Sequence, residues 1–388
     1  MSTARTSDGP SKPNDHWWST TSARSDEGLD VRLFDDGSDE PTPLVATRLH
    51  VWHVVVAVLF LLATAAVSLM VGPADLAPLA ILKDLASRIP FVRLHSGLTP
   101  TGVAVLWQLR MPRIVLGGLV GAMLSLAGAS YQGVFHNPLA DPYLLGVASG
   151  AGLGATIAIV ELPRLASWSF DPVPFAAFVG AVAAVAATFT LGRSGARVRN
   201  ATSMILAGIA VGAFFTAAQT YLLQRQNPAI VAEVYDWILG GLATAGWDQV
   251  LLILPYVSVA MVALLAVRRL LDALCVGDDE ANTLGVRADY VRLFVVVAAT
   301  LGTAAAVSVS GLIGFVGIIV PHTIRLIAGP SYQRIIPLSL LYGAAFLILA
   351  DLLARTALSP SEVPLGVVTA FLGAPFFLVV LRRSRALS

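Results

Sequence analysis

The sequence predicts an all-α, polytopic membrane protein of about ten transmembrane helices. Three observations lead there. Apolar residues make up 56% of the 388 positions and charged residues 13%, a balance suited to lipid rather than water. Windows of about 20 mostly apolar residues recur along the chain, bounded by charge or proline. Glycines repeat at a spacing of four inside those windows: Gly117 and Gly121, then Gly146, Gly150 and Gly154, then Gly208 and Gly212. That spacing puts each series on one helical face, where neighbouring backbones approach closely.

The first 45 residues stand apart. They are rich in Ser, Thr, Asp, Gly and Pro and poor in branched apolar side chains, so they bury too little surface to offset the entropy of ordering, and residues 1–45 are expected to form a disordered tail. The segment lacks the short basic region followed by an apolar run that marks a secretory signal. Its Trp17-Trp18 pair is read as incidental. The transmembrane domain then occupies residues 46–388, with spans predicted near 49–70, 113–135, 142–161, 172–192, 200–223, 247–267, 290–310, 312–328, 334–354 and 362–381.

Arginine placement tests that count. An even number of spans puts both termini on one side, and the connections alternate. One set carries Arg193, Arg197 and Arg199, then Arg268, Arg269 and Arg287, then Arg325 and Arg334, with Arg382, Arg383 and Arg385 in the tail. Beyond the first connection, the other set has Arg164, Arg225 and Arg355. The positive-inside bias therefore predicts cytoplasmic termini. The connection after the first span breaks the pattern, with Lys83, Arg88, Arg93, Arg110 and Arg113 on the outer side.

Several classes are disfavoured. A formal charge of +1 and scattered arginines offer no basic stripe for nucleic acid. One cysteine, Cys275, permits no intrachain disulfide and no thiolate cluster. His50 and His53 lack a further ligand at metal-binding spacing, and His136 and His322 each adjoin a proline-containing turn. No phosphate-binding loop with Lys followed by Ser or Thr is present, so ATP hydrolysis is not expected in this polypeptide.

Two connections carry chemistry. The stretch "RRLLDALCVGDDEANTLGVRADY", residues 268–290, is too polar for lipid and divides at Gly277 into two short amphipathic pieces. Leu270, Leu271 and Leu274 lie on the first, Ala281, Leu284 and Val286 on the second, and Asp278 and Asp279 favour the second helix start through its unpaired amides. Two such helices on the cytoplasmic face make a docking element. The stretch "FHNPLADPYLLGVASGAGLGA" interrupts an apolar segment. Pro138 and Pro142 remove backbone donors and restrict their predecessors, while Asn137 and Asp141 are suited to bond freed amides locally, which predicts a tight re-entry. Asp351 precedes Arg355 by four residues, a spacing for an ion pair on one helical face.

The blocks "LWQLRMPRIVLGGLVGAMLSLAGASYQGVFHNPLADPYLLGVASGAG", "LCVGDDEANTLGV", "GLIGFVGIIVPHTIRLIAG" and "ADLLARTALSPSEVPLGVVTAFLGAPFF" follow one another in order between roughly positions 50 and 383. In them the chain resembles the permease subunit of the iron-siderophore, haem and vitamin B12 class of ATP-binding-cassette importers, the FecCD-type, type II importers. The resemblance implies a vitamin B12 importer permease-like fold. It implies a permease dimer, a homodimer with a heterodimer as the alternative, surrounding a translocation pathway. Two ATP-binding cassette ATPase subunits would lie below and an extracytoplasmic solute-binding protein above, in the cell (inner or cytoplasmic) membrane of a prokaryote.

By the same resemblance Arg110, Arg113 and Arg355 hold acidic residues on the lobes of the binding protein. Leu274, Gly277, Asp278, Ala281, Leu284, Gly285 and Val286 belong to the coupling helices near 270–286, and Asn137, Pro138, Asp141 and Pro142 to an architectural turn. No cofactor is expected in this chain, with ATP and Mg held by the partner subunits. A ferric siderophore is the expected cargo on family breadth, with haem or vitamin B12 as alternatives. A self-contained ion-coupled transporter is the competing class, and it would require discontinuous spans and a buried ionisable relay.

Overall fold

A computed structural model describes residues 49–72, 74, 76–88, 97–162, 171–193 and 201–385. The tail of residues 1–45 lies outside them, as do Arg93, Arg164, Arg197 and Arg199. The described residues form helices joined by short connections, beginning with α1 (Val51–Met70), α2 (Pro78–Ser87) and α3 (Pro100–Ala104), the last running through a π-helical turn at Val105–Arg110 into α4 (Met111–Val134). A 3-10 turn at Pro142–Leu145 leads to α5 (Val147–Glu161), followed by α6 (Pro172–Arg193), α7 (Ala201–Leu223), α8 (Pro228–Leu239) and α9 (Trp247–Ala266). Then come α10 (Arg268–Leu274), α11 (Asp278–Thr283), α12 (Ala288–Ser310), α13 (Val316–Ala328), α14 (Tyr332–Thr356) and α15 (Leu365–Arg385).

Local chemistry explains many of these limits. Proline opens α2, α3, α6 and α8, where its missing N–H is not needed. Thr99 Oγ1 accepts from Gly102 N at 3.1 Å and Asn227 Oδ1 from Ile230 N at 3.0 Å, capping α3 and α8. Among the described residues seven helices are long and apolar enough to cross a membrane: α1, the continuous Pro100–Val134 segment, α6, α7, α9, α12 and α14. The remaining predicted spans are the shorter apolar helices α5, α13 and α15. All three start later than hydropathy suggested, α15 at Leu365. α5 begins only after Gly146 turns the chain at φ 88°, and α13 begins after an irregular stretch that includes Gly311 at φ 64° and Phe315 at φ 67°.

α4 is the centre of the packing, buried continuously from Val120 to Val134. A side chain at Gly121 would overlap the Gly343 carbonyl of α14, and one at Gly128 would overlap Gly317 of α13. These are backbone contacts that only glycine permits. Gly150 of α5 and Gly180 of α6 meet in the same way, each Cβ position filled by the other's carbonyl. Elsewhere the glycine series serves other ends: Gly117 packs against Leu242, and Gly146 forms the turn before α5.

The α4–α13 crossing also resolves a backbone problem. Pro321 lies inside α13 and has no N–H to offer the carbonyl four residues earlier, that of Gly317. An unsatisfied carbonyl in the hydrocarbon region is costly. Gln132 of α4 supplies the missing donor, its Nε2 lying 3.1 Å from Gly317 O, fully buried. Its Oε1 faces Arg325 Nη2 at 3.4 Å, and the same Nη2 donates to the Tyr332 hydroxyl at 2.9 Å. Replacing Gln132 with Leu strands that carbonyl and is expected to cost about 1–3 kcal/mol. Thermal unfolding of the detergent-solubilised chain will show it as a lowered midpoint, with Gln132→Glu, which cannot donate when ionised, no better than Leu.

Candidate functional site

The predicted docking element forms at one end of the bundle as α10 and α11. Its apolar residues divide by direction. Leu271, Leu274 and Ala281 are fully buried against the spans, whereas Leu270, Val276 and Leu284 are exposed, Leu284 at 64%. Gly277 at φ 132° and Gly285 at φ 80° make the bends on either side of α11. Val286 is half-buried, and Asp278 opens α11, its side chain lying outside the described residues. Of the seven coupling positions, Leu284 therefore presents the large apolar surface. Val276 and Leu270 add to it, and hydropathy alone had not singled out Val276.

Two contacts fasten α10 to the spans. His136 Nε2 lies 2.7 Å from Leu274 O at the end of α10. Asp272 reaches α14, where Oδ1 accepts from Tyr332 N at 2.5 Å and Oδ2 from Ser331 Oγ at 3.0 Å and Gln333 N at 3.3 Å. No spacing signal in the sequence links Asp272 to a helix that starts 60 residues later.

The turn from Phe135 to Gly146 doubles back into the bundle. Asn137 Oδ1 accepts from Leu139 N at 2.9 Å, and Asp141 Oδ1 accepts from Tyr143 N at 2.8 Å, capping the 3-10 turn that Pro142 opens. Pro138 is exposed, while Pro142 is buried against Gly317. The Tyr143 hydroxyl donates to Ile313 O at 3.0 Å and accepts from Ile313 N at 3.1 Å, so one side chain pairs both backbone groups of an irregular residue between α12 and α13. Beside this turn a cavity of about 650 Å³ runs between α5, α7 and α8, with Asp141, Gly212, Thr216, Gln219 and Tyr235 among its walls. The lining residues on α7 extend from Gly208 to Leu223, about 22 Å at 1.5 Å per residue, most of the thickness of a hydrocarbon core.

At the opposite end of the bundle the three predicted arginines converge. Arg113 of α4 grips Asp351 of α14 with Nε 3.0 Å from both carboxylate oxygens and Nη2 2.9 Å from Oδ1. The same guanidinium meets Glu362, Nη1 to Oε1 and Nη2 to Oε2, each at 2.9 Å. Arg355 Nε stands 3.8 Å from Asp351 Oδ2. Its Nη2 donates to the Ser68 carbonyl and, at 2.7 Å, to the Ser68 hydroxyl. Arg110 Nη1 donates to Leu69 O at 2.6 Å, and its Nη2 to Ala74 O. Arg110 and Arg355 thus complete the acceptors at the C-terminal end of α1, where cations also complement the helix dipole.

Burial follows from this arrangement. Arg110 and Arg355 are 4% and 5% exposed, turned into the protein, and Arg113 is held between one buried carboxylate and one exposed one. Hydrogen bonding from Arg113 holds the Glu362 carboxyl below its usual range. The expected Asp351–Arg355 proximity exists, but the closer partner of Asp351 is Arg113, 238 positions away, and Glu362 and Ser68 join the cluster from segments that spacing could not connect. Among the described residues no group of three or more His, Cys, Asp or Glu side chains is placed to hold a metal ion.

Comparison with known proteins places this architecture. A solved structure described as an inward-facing conformation of a metal-chelate type ABC transporter superposes with a TM-score of 0.74 at 29% identity, covering 86% of this chain and 100% of that one. The chain is 40% identical to the cobalamin import system permease protein BtuC of Halobacterium salinarum, over 74% of this chain and 76% of that protein. It is 38% identical to the hemin transport system permease protein HmuU of Yersinia pestis, over 72% and 83%. It is 32% identical to the Fe(3+)-citrate import system permease protein YfmE of Bacillus subtilis, over 85% and 94%. Residues 59–383 match the family model described as the FecCD transport family, and with its bundle, re-entrant turn and paired short helices in place the chain belongs to that family.

Proposed function

We propose that this chain is the membrane permease subunit of an ATP-driven importer of metal chelates, with a ferric siderophore as cargo. The observation that carries the proposal is α10–α11: a pair of short helices fastened to the spans on one side while Leu270, Val276 and Leu284 remain exposed on the other. Exposed apolar side chains on a polar connection are what a docking partner covers. Two ATPase subunits would bind there and supply the ATP and Mg. A second permease copy would complete the pathway along the α7–α8 cavity. The arginine bias supports a reading in which α10–α11 and both termini face the cytoplasm, and the membrane would be the inner or cytoplasmic membrane of a prokaryote.

At the opposite end an extracytoplasmic solute-binding protein would dock over Arg110, Arg113 and Arg355. Arg113, which already meets the carboxylates of Asp351 and Glu362, is the guanidinium that an acidic partner would compete for. Glu362, the exposed member, is the group that such a partner's carboxylate would displace from Arg113. Cargo is read at the binding protein, and mass spectrometry of the ligand that it carries when purified distinguishes a siderophore from haem or a corrinoid.

Two variants test the partner surfaces. Leu284→Asp places a charge on the exposed apolar face without touching the buried Leu271 and Leu274, so the chain should still insert while ATPase recovery in co-purification drops sharply. Full recovery of the complex would remove α11 from the docking surface. Glu362→Gln leaves Arg113 on Asp351 and takes away the competing carboxylate. The dissociation constant for the solute-binding protein should fall, more at low ionic strength than at high, whereas equal affinities at both salt concentrations would argue against arginine docking.

A further inference from the structure

The coupling helix and the outer ion cluster are joined through one transmembrane helix, and the polar part of the joint is a single side chain. α14 starts at Tyr332 after Ser331, whose own hydroxyl does not cap it. The acceptor that the first amides of α14 need comes instead from Asp272, on another element. Its carboxylate takes the Tyr332 and Gln333 amides and the Ser331 hydroxyl together, at the positive end of the α14 dipole. Leu271, fully buried beside it, packs near Gly133 together with the Tyr332 ring. α10 and the start of α14 therefore share polar and apolar contacts.

The other end of α14 lies about 37 Å away, 25 residues at 1.5 Å each. There Asp351 and Arg355, both on α14, engage Arg113 and Ser68. Pro337 removes the rung to the Gln333 carbonyl, and buried Ile335, Ile336 and Leu338 hold the helix against its neighbours at that point. A displacement of α10 thus has a continuous, packed route to the outer cluster that does not pass through the cavity walls on α7 and α8.

Resting on the importer reading above, we infer that Asp272 is a positioning residue for energy coupling: by capping α14 from the coupling helix it makes the two move as one body and transmits ATPase-driven motion to the outer face. A helix cap with only a local, stabilising role would look the same in a static structure, and the two are separated by supplying the cap from elsewhere. An Asp at the N-cap position accepts from the N2 or N3 amide, here Gln333 or Arg334, and so supplies a cap to the same helix end from within the chain segment of α14. The double variant Asp272→Ala, Ser331→Asp therefore restores a cap and leaves the polar link to α10 cut.

The experiment uses the complete complex with its ATPase subunits and solute-binding protein in vesicles, and records thermal midpoint, ATP turnover and cargo taken up per ATP, with the ligand-loaded binding protein as purified. Asp272→Ala should lower the midpoint and reduce cargo per ATP about fivefold or more while ATP turnover continues. The double variant should recover the midpoint and keep the low cargo yield. Recovery of both in the double variant would overturn the inference, since a local cap would then be sufficient. Wild-type cargo yield in Asp272→Ala would overturn it equally, and so would failure of both variants to bind the ATPase, because Asp272 would then shape docking rather than transmission. Absence of ATP-driven uptake by the wild-type complex would instead remove the importer reading, and the inference with it.

Discussion

The contact on which the rest of the bundle depends is the approach of α4 to α13 and α14 at backbone distance. In a medium without water, the gain in bringing two apolar helices together comes from packing rather than from release of solvent. Gly121 against Gly343 and Gly128 against Gly317 permit that packing. The same proximity brings Gln132 within reach of the carbonyl that Pro321 leaves unpaired. Without the glycine contacts the amide could not reach, and the proline in α13 would leave a polar group stranded. Close approach and backbone satisfaction are thus one constraint in this protein.

With α4 in place, irregular backbone becomes tolerable on either side of it. The turn at Asn137–Pro142 and the stretch from Gly311 to Phe315 both lie between spans, and each meets the other through Tyr143 and Ile313. Non-helical backbone at depth is permitted where protein or a cavity surrounds it. The cavity along α7 begins beside this turn, so this irregular backbone borders open space.

The two ends of the bundle use charge differently. At the α10–α11 end Asp272 completes the start of α14, and at the opposite end Arg110 and Arg355 complete the finish of α1. Each places a charge where a helix dipole favours it. Arg113 engages two carboxylates, and its bidentate grip on Asp351 joins α4 to α14 at the far end from Gly133 and Tyr332. α14 is consequently held to the core at both ends and at Gly343 between them.

Span number, the polar connection at 268–290 and the family were legible in the sequence, because hydropathy and the order of short motifs are properties of neighbouring residues. The local roles of Asn137 and Asp141 in their turn are of the same kind. Span starts were less so: the late beginnings of α5 and α13 depend on Tyr143 and Ile313 meeting across 170 positions. Direction within an amphipathic segment was also hidden, since Leu271, Leu274 and Leu284 are alike in composition and only the docking of α10 buries the first two and leaves the third exposed. Arg110, Arg113 and Arg355 could be placed on one face from the alternation of spans. That Arg113 takes Asp351 and Glu362, while Arg110 and Arg355 turn to the carbonyls at the end of α1, was decided by the tertiary structure. A guanidinium binds whichever acceptor the packed helices bring within about 3 Å, and sequence separation carries no record of that distance.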